Sequence, residues 1–180
     1  MALYVIHVYR PFQLRNLPMF LTIHTIVHTL ISRIGIFSGL VMLGGWLRRH
    51  RLEGWTKLFL ITTILTSVTG FGFPFHEFTP AFGVGIISLV VLAIAVYARS
   101  SRQLLGAWRW VFVVTAVMSL YLNFFVLVVM AFRRVPALHA LAPTDSEPPF
   151  QQTQLVMLVL FVLFGIIAVR RFRLNSIAAT

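Results

Sequence analysis

WRWVFVVTAVMSLYLNFFVLVVMAF, Trp108 to Phe132, decides the fold. After Arg109 the run carries no charge, and as a helix rising 1.5 Å per residue it outreaches a hydrocarbon core of roughly 30 Å. Its polar members, Thr115, Ser119 and Asn123, recur every four residues, the repeat of one helix face, and no barrel-strand alternation runs through it. The stretch predicts a transmembrane helix.

Working outward, AFGVGIISLVVLAIAVYA (Ala81 to Ala98) repeats the pattern, and TKLFLITTILTSVTGFGFPF predicts a span from Thr56 to Phe73 that Pro74 closes. Upstream the chain is apolar from Phe20 to Leu47, with Thr29 to Leu47 as the expected crossing; downstream a fifth span covers Gln154 to Val169. The predicted fold is all-α, an integral membrane bundle of five transmembrane helices over residues 19–173, with 174–180 as a cytoplasmic tail. Composition agrees: 59% of the 180 residues are apolar and 11% charged, against roughly 45–50% and about 25% in soluble domains. Mean hydropathy is +0.91. With no cysteine, disulfide frameworks, thiolate nucleophiles and cysteine-zinc sites are excluded.

Orientation follows from the 15 Lys and Arg residues. Arg48, Arg49, Arg51, Lys57, Arg99, Arg102, Arg109, Arg170, Arg171 and Arg173 fall on one side; Arg10, Arg15, Arg133 and Arg134 fall on the other, and Arg33 lies inside span 1. The positive-inside rule places the N-terminus outside and the C-terminus in the cytoplasm, and Trp46, Trp55, Trp108 and Trp110 flank the cytoplasmic face as belt anchors. The +11 net charge is thereby explained by topology. The expected partners are the lipid bilayer and, at the cytoplasmic face, anionic lipid headgroups; nucleic acid is not expected. Residues 1–18 contain no signal-peptide pattern. The reading preferred is that Met19 is the start; the alternative is a segment lying on the outer interface. Arg133 to Thr153, rich in proline and bearing Asp145 and Glu147, predicts a long outer loop, or equally an interfacial half-turn, PALHALA, that caps the bundle.

Two sets of residues are candidates for chemistry. Arg33 is the one ionisable side chain inside a span, expected near the outer boundary and paired structurally with Glu77. His24 and His28 share a helix face, and with His76, His139 and Glu77 they form an outer set of imidazole and carboxylate groups suited to a divalent metal. Alternatively, His28 and His76 serve as axial ligands of haem b. The HxxxH pattern lacks the glutamate of a zincin motif, so the expectation is a protein without a cofactor. Thr62, Thr66 and Thr69, with Thr115, Ser119 and Asn123, are expected to bond between helices, and Gly35 and Gly39 to permit close packing. No acid lies in any span, and neither a phosphate loop nor a nucleophile elbow occurs.

Leu65 to Arg99 (LTSVTGFGFPFHEFTPAFGVGIISLVVLAIAVYAR) and Pro136 to Arg173 (PALHALAPTDSEPPFQQTQLVMLVLFVLFGIIAVRRFR) resemble an uncharacterised family of small bacterial multi-pass inner-membrane proteins with no assigned activity. The resemblance extends from about His28 to Arg173 and implies the bacterial inner membrane. The functional expectation is a non-catalytic accessory or scaffold, with a homo-oligomer or a membrane-protein partner. The alternatives are a metal or haem redox protein with its site at the outer face, and a small-solute channel or transporter subunit with an aqueous cavity lined by Thr66, Ser119, Tyr121 and Asn123.

Overall fold

The computed structural model describes the backbone of residues 2–73 and 80–172, and side chains over 19–73 and 82–172. The elements are α1 (Ala2–Leu47), α2 (Glu53–Gly70), α3 (Pro80–Ser100), α4 (Trp108–Arg134), the single turn α5 (Pro136–His139) and α6 (Pro148–Arg171). No strand occurs among the described residues. Met19–Leu47, Phe82–Ser100, Trp108–Arg134 and Pro148–Arg171 are long and apolar enough to cross a membrane. Helix α2 is more polar, because Glu53, Lys57 and a series of threonines dilute its leucines and isoleucines.

The five long helices alternate between two ends of the bundle. Each packs on the next in the order α1, α2, α3, α4, α6, and α6 returns to α1; α4 touches every other described helix. The end holding Arg51, Glu53, Arg99 and Arg171 is called the basic end; the opposite one, with His24, His28 and the C-terminus of α4, the histidine end.

The outside is far more apolar than that of a water-soluble bundle, and several hydroxyls are buried with the apolar core. Ser38, Thr56, Thr62, Thr63, Ser67, Ser88 and Ser119 are buried, whereas leucine, isoleucine, valine and phenylalanine side chains cover the outside. Beyond the rim residues Glu53, Gly54, Trp55 and Lys57, the exposed residues of α2 are Leu58, Ile61, Leu65 and Val68, one face at three- and four-residue spacing. A helix with its hydroxyls inward and its aliphatics outward suits a lipid solvent.

The main core sits toward the basic end, around Met42, Trp46, Phe59, Phe112 and Leu120. Trp46 is not the belt anchor expected: it is 1% exposed and its ring meets Phe112 and Phe172 at 5.6 and 5.1 Å. Trp55 and Trp110 are exposed. At the rim Glu53 pairs with Arg51 at 2.6 Å and with Arg99, linking α2 to α3. Arg171 donates to the Leu47 carbonyl at 2.6 Å, satisfying one of the carbonyls left free at the end of α1.

Within the described side chains of α1 the apolar stretch includes His24 and His28, which sit against the α2 turn. Helix α6 begins at Pro148, where a missing N–H costs nothing, so the α4–α6 connection is shorter than Arg133 to Thr153 and contains α5. Arg133 binds Asp145 at 2.6 Å, and Phe132, Ala142 and Phe150 form a second small core beneath.

Candidate functional site

Gly35 and Gly39 bring α1 against its neighbours within the chain. A Cβ on Gly35 would lie 3.2 Å from Thr62 Oγ1, and one on Gly39 would lie 2.5 Å from Leu120 Cδ1 and 2.8 Å from Phe59. Just above this junction Asn123 Nδ2 donates to Thr63 Oγ1 at 3.3 Å, tying α4 to α2. Beyond that bond, toward the histidine end, the helices enclose a chamber of about 590 Å³, within the 300–1,000 Å³ typical of ligand pockets. Ser32 and Arg33 of α1, Thr66 and Ser67 of α2, Ser88 of α3, and Asn123 and Arg134 of α4 contribute to its wall. No carboxylate is among the described lining residues.

The expected polar stripes behave in two ways. Most hydroxyls bond back to their own helix: Thr62 to Leu58 O at 2.7 Å, Thr115 to Val111 O at 2.7 Å, Ser119 to Thr115 O at 2.8 Å. Asn123 and Thr69 cross between helices, the former to Thr63, which the stripe had not included. Thr66 does neither. Its Oγ1 is buried without a hydrogen-bond partner at the chamber wall. Of the residues expected around an aqueous cavity, Thr66 and Asn123 line it; Ser119 is in the core below, and Tyr121 packs on Phe125 and Phe161.

His28 Nδ1 lies 2.8 Å from Thr69 Oγ1. Thr69 already donates to the Leu65 carbonyl at 2.7 Å, so it accepts from His28, and the Nδ1–H tautomer leaves the Nε2 lone pair available. His24 stacks on His28 with centroids 6.4 Å apart, and Phe73 stands edge-on to both at 4.6 and 5.2 Å. Gly72 makes this possible, since a Cβ there would lie 2.7 Å from His24 Nε2. His24 Nδ1 is buried and unpartnered. His139 is exposed on α5, which packs only on α4. His76 and Glu77 lie outside the described residues, as does the expected Arg33–Glu77 pair. Among the described residues no three His, Cys, Asp or Glu side chains gather as a metal group.

Arg33 lies on the chamber wall. Neither it nor Arg134 has a carboxylate partner among the described residues; the ion pairs are those of Arg51, Arg99 and Arg133. Arg134, Ser67 and Ser88 were missed as site residues. The available signal was that hydroxyls recur near the same end of successive spans, where a helix end also carries an arginine.

The chain matches no family model, no curated protein and no solved structure.

Proposed function

We propose that this is a five-span protein of the bacterial inner membrane, with the N-terminus outside and the C-terminus cytoplasmic, acting as a non-catalytic accessory that holds a guest molecule in the α1–α4 chamber. The observation that carries the reading is the distribution of polarity: apolar side chains cover the outside of the long helices, while serine and threonine hydroxyls and a largely apolar chamber with Arg33, Asn123 and Arg134 on its wall lie between them. The described chamber wall offers cations, hydroxyls, an amide and the His28 imidazole, and no carboxylate.

The absence of native cysteine permits a direct test. In intact cells, Ser146→Cys is expected to react with a membrane-impermeant maleimide, and Ser101→Cys only after permeabilisation. Ser67→Cys, inside the chamber, is expected to react with a small methanethiosulfonate but not with a bulky maleimide. The reverse pattern at 146 and 101 would overturn the orientation, and an inert Ser67→Cys the chamber.

A second reading, a metal or haem site, draws support from the stacked His24 and His28 and the oriented Nε2 of His28. Elemental analysis of the purified chain beside a His28→Ala, His76→Ala variant tests it: near-stoichiometric iron, copper or zinc lost in the variant would establish the site, and a metal-free folded protein would remove it.

A further inference from the structure

The chamber has a side opening, and its position points to the guest. Among the described lining residues, the exposed ones are Arg33, Leu127, Met130 and Arg134. All four belong to α1 and α4, which close on one another lower down at Gly39 and Leu120. Leu127, Met130 and Arg134 share one face of α4 by their three- and four-residue spacing, so two apolar side chains lead to a guanidinium on one jamb. The other jamb is Arg33, among exposed Ile26, Leu30, Ile34 and Phe37 of α1. The mouth therefore opens through the apolar wall of the bundle.

A guest entering through such a wall arrives from lipid, and what it meets is positive. Two guanidiniums without carboxylate partners among the described residues offer the forked donors that suit phosphate and carboxylate. Behind them Thr66 Oγ1 holds an unused donor, and Ser32, itself bonded to the His28 carbonyl at 2.7 Å, presents a further oxygen. The aliphatic part of the guest would lie along Ile36, Val126, Leu127 and Met130. We propose that the chamber is a lateral binding site for one anionic phospholipid, its phosphate held by Arg33 and Arg134 and part of an acyl chain lodged between α1 and α4. This rests on the reading of the chamber as a guest site, and it names the guest.

The test is native mass spectrometry of the full chain in a neutral detergent, titrated with dioleoyl-phosphatidylglycerol, dioleoyl-phosphatidylcholine or inorganic phosphate. One phosphatidylglycerol per chain is expected to be retained in preference to phosphatidylcholine, with no competition from millimolar phosphate. Arg33→Gln with Arg134→Gln is expected to weaken retention about tenfold or more, as loss of charge-assisted hydrogen bonds predicts. Met130→Trp, which narrows the mouth and keeps both arginines, is expected to do the same and serves as the test should the double variant fail to fold. Arg48→Gln with Arg170→Gln at the basic end is expected to leave retention unchanged. Equal retention of phosphatidylcholine, wild-type retention in folded arginine variants or in Met130→Trp, or loss in the basic-end control would overturn the proposal. Displacement by inorganic phosphate would replace the lipid with a water-borne anion. Reactivity of Ser67→Cys in the delipidated protein in detergent reports the chamber without its guest, so a chamber that takes no lipid is distinguishable from no chamber.

Discussion

Gly39 and Gly44 lie on the same helix and are predicted to respond oppositely to alanine. At Gly39 the new methyl would meet Leu120 at 2.5 Å and Phe59 at 2.8 Å, both buried in the core where α1, α2 and α4 converge. Overpacking of this kind costs about 1–3 kcal/mol. At Gly44 nothing lies within 4 Å, and replacing glycine in a helix recovers up to about 1 kcal/mol. Thermal unfolding in detergent is expected to shift down for Gly39→Ala and up or not at all for Gly44→Ala. Asn123→Leu removes the bond to Thr63 and is expected to lower stability by about 0.6 kcal/mol, the mean for interhelical polar contacts in a membrane protein; an unchanged midpoint would show that the bond contributes nothing. The i to i+4 spacing made the glycine pair legible, but whether its neighbour was the same chain or a second copy depended on where α2 and α4 came to lie.

At the scale of elements, the ion pairs among the described residues lie at the helix ends and connections. Glu53 joins Arg51 to Arg99 and so links the start of α2 to the end of α3, but its side chain is 46% exposed. Glu53→Gln is therefore expected to cost no more than about 1 kcal/mol and to cost less still in high salt. The segment before α6 responds to pH instead. Slight desolvation pushes the Glu147 carboxyl up, but hydrogen bonds from Thr144 and Ser146 outweigh it and hold the group below its ordinary value. With a depressed folded pKa, the ordering of this loop is present above the ordinary carboxylate range and lost as pH falls through the folded value. Amide protection at Thr144 and Ser146 is expected to fall there in the wild type and to be low at all pH in Glu147→Gln. Prolines at 136, 143, 148 and 149 announced a loop in the sequence; that two of them would instead begin helices, α5 and α6, followed from Phe132 and Phe150 finding each other across it.

On the scale of the whole molecule, lipid is the solvent that makes the arrangement stable, and the basic residues record how it sits. On the proposed orientation, Arg170→Gln with Arg48→Gln is expected to raise the fraction of chains with a misplaced C-terminal reporter, because fewer arginines oppose translocation of that end; a reporter that stays wholly cytoplasmic would show these two are dispensable. Arg171 is left out of that variant because its bond to the Leu47 carbonyl has a structural role. The sequence by itself determined the all-helical class, the membrane-length apolar runs and the gathering of arginines at alternate ends, since hydropathy and helix periodicity act over a single segment. Tertiary structure alone decided which hydroxyls cross between helices, that Trp46 enters the core, and that Arg33, Thr66 and Arg134 face one chamber. Those outcomes depend on the rotation and spacing of separate helices, set by small residues such as Gly35 and Gly39 that admit a neighbour without naming it.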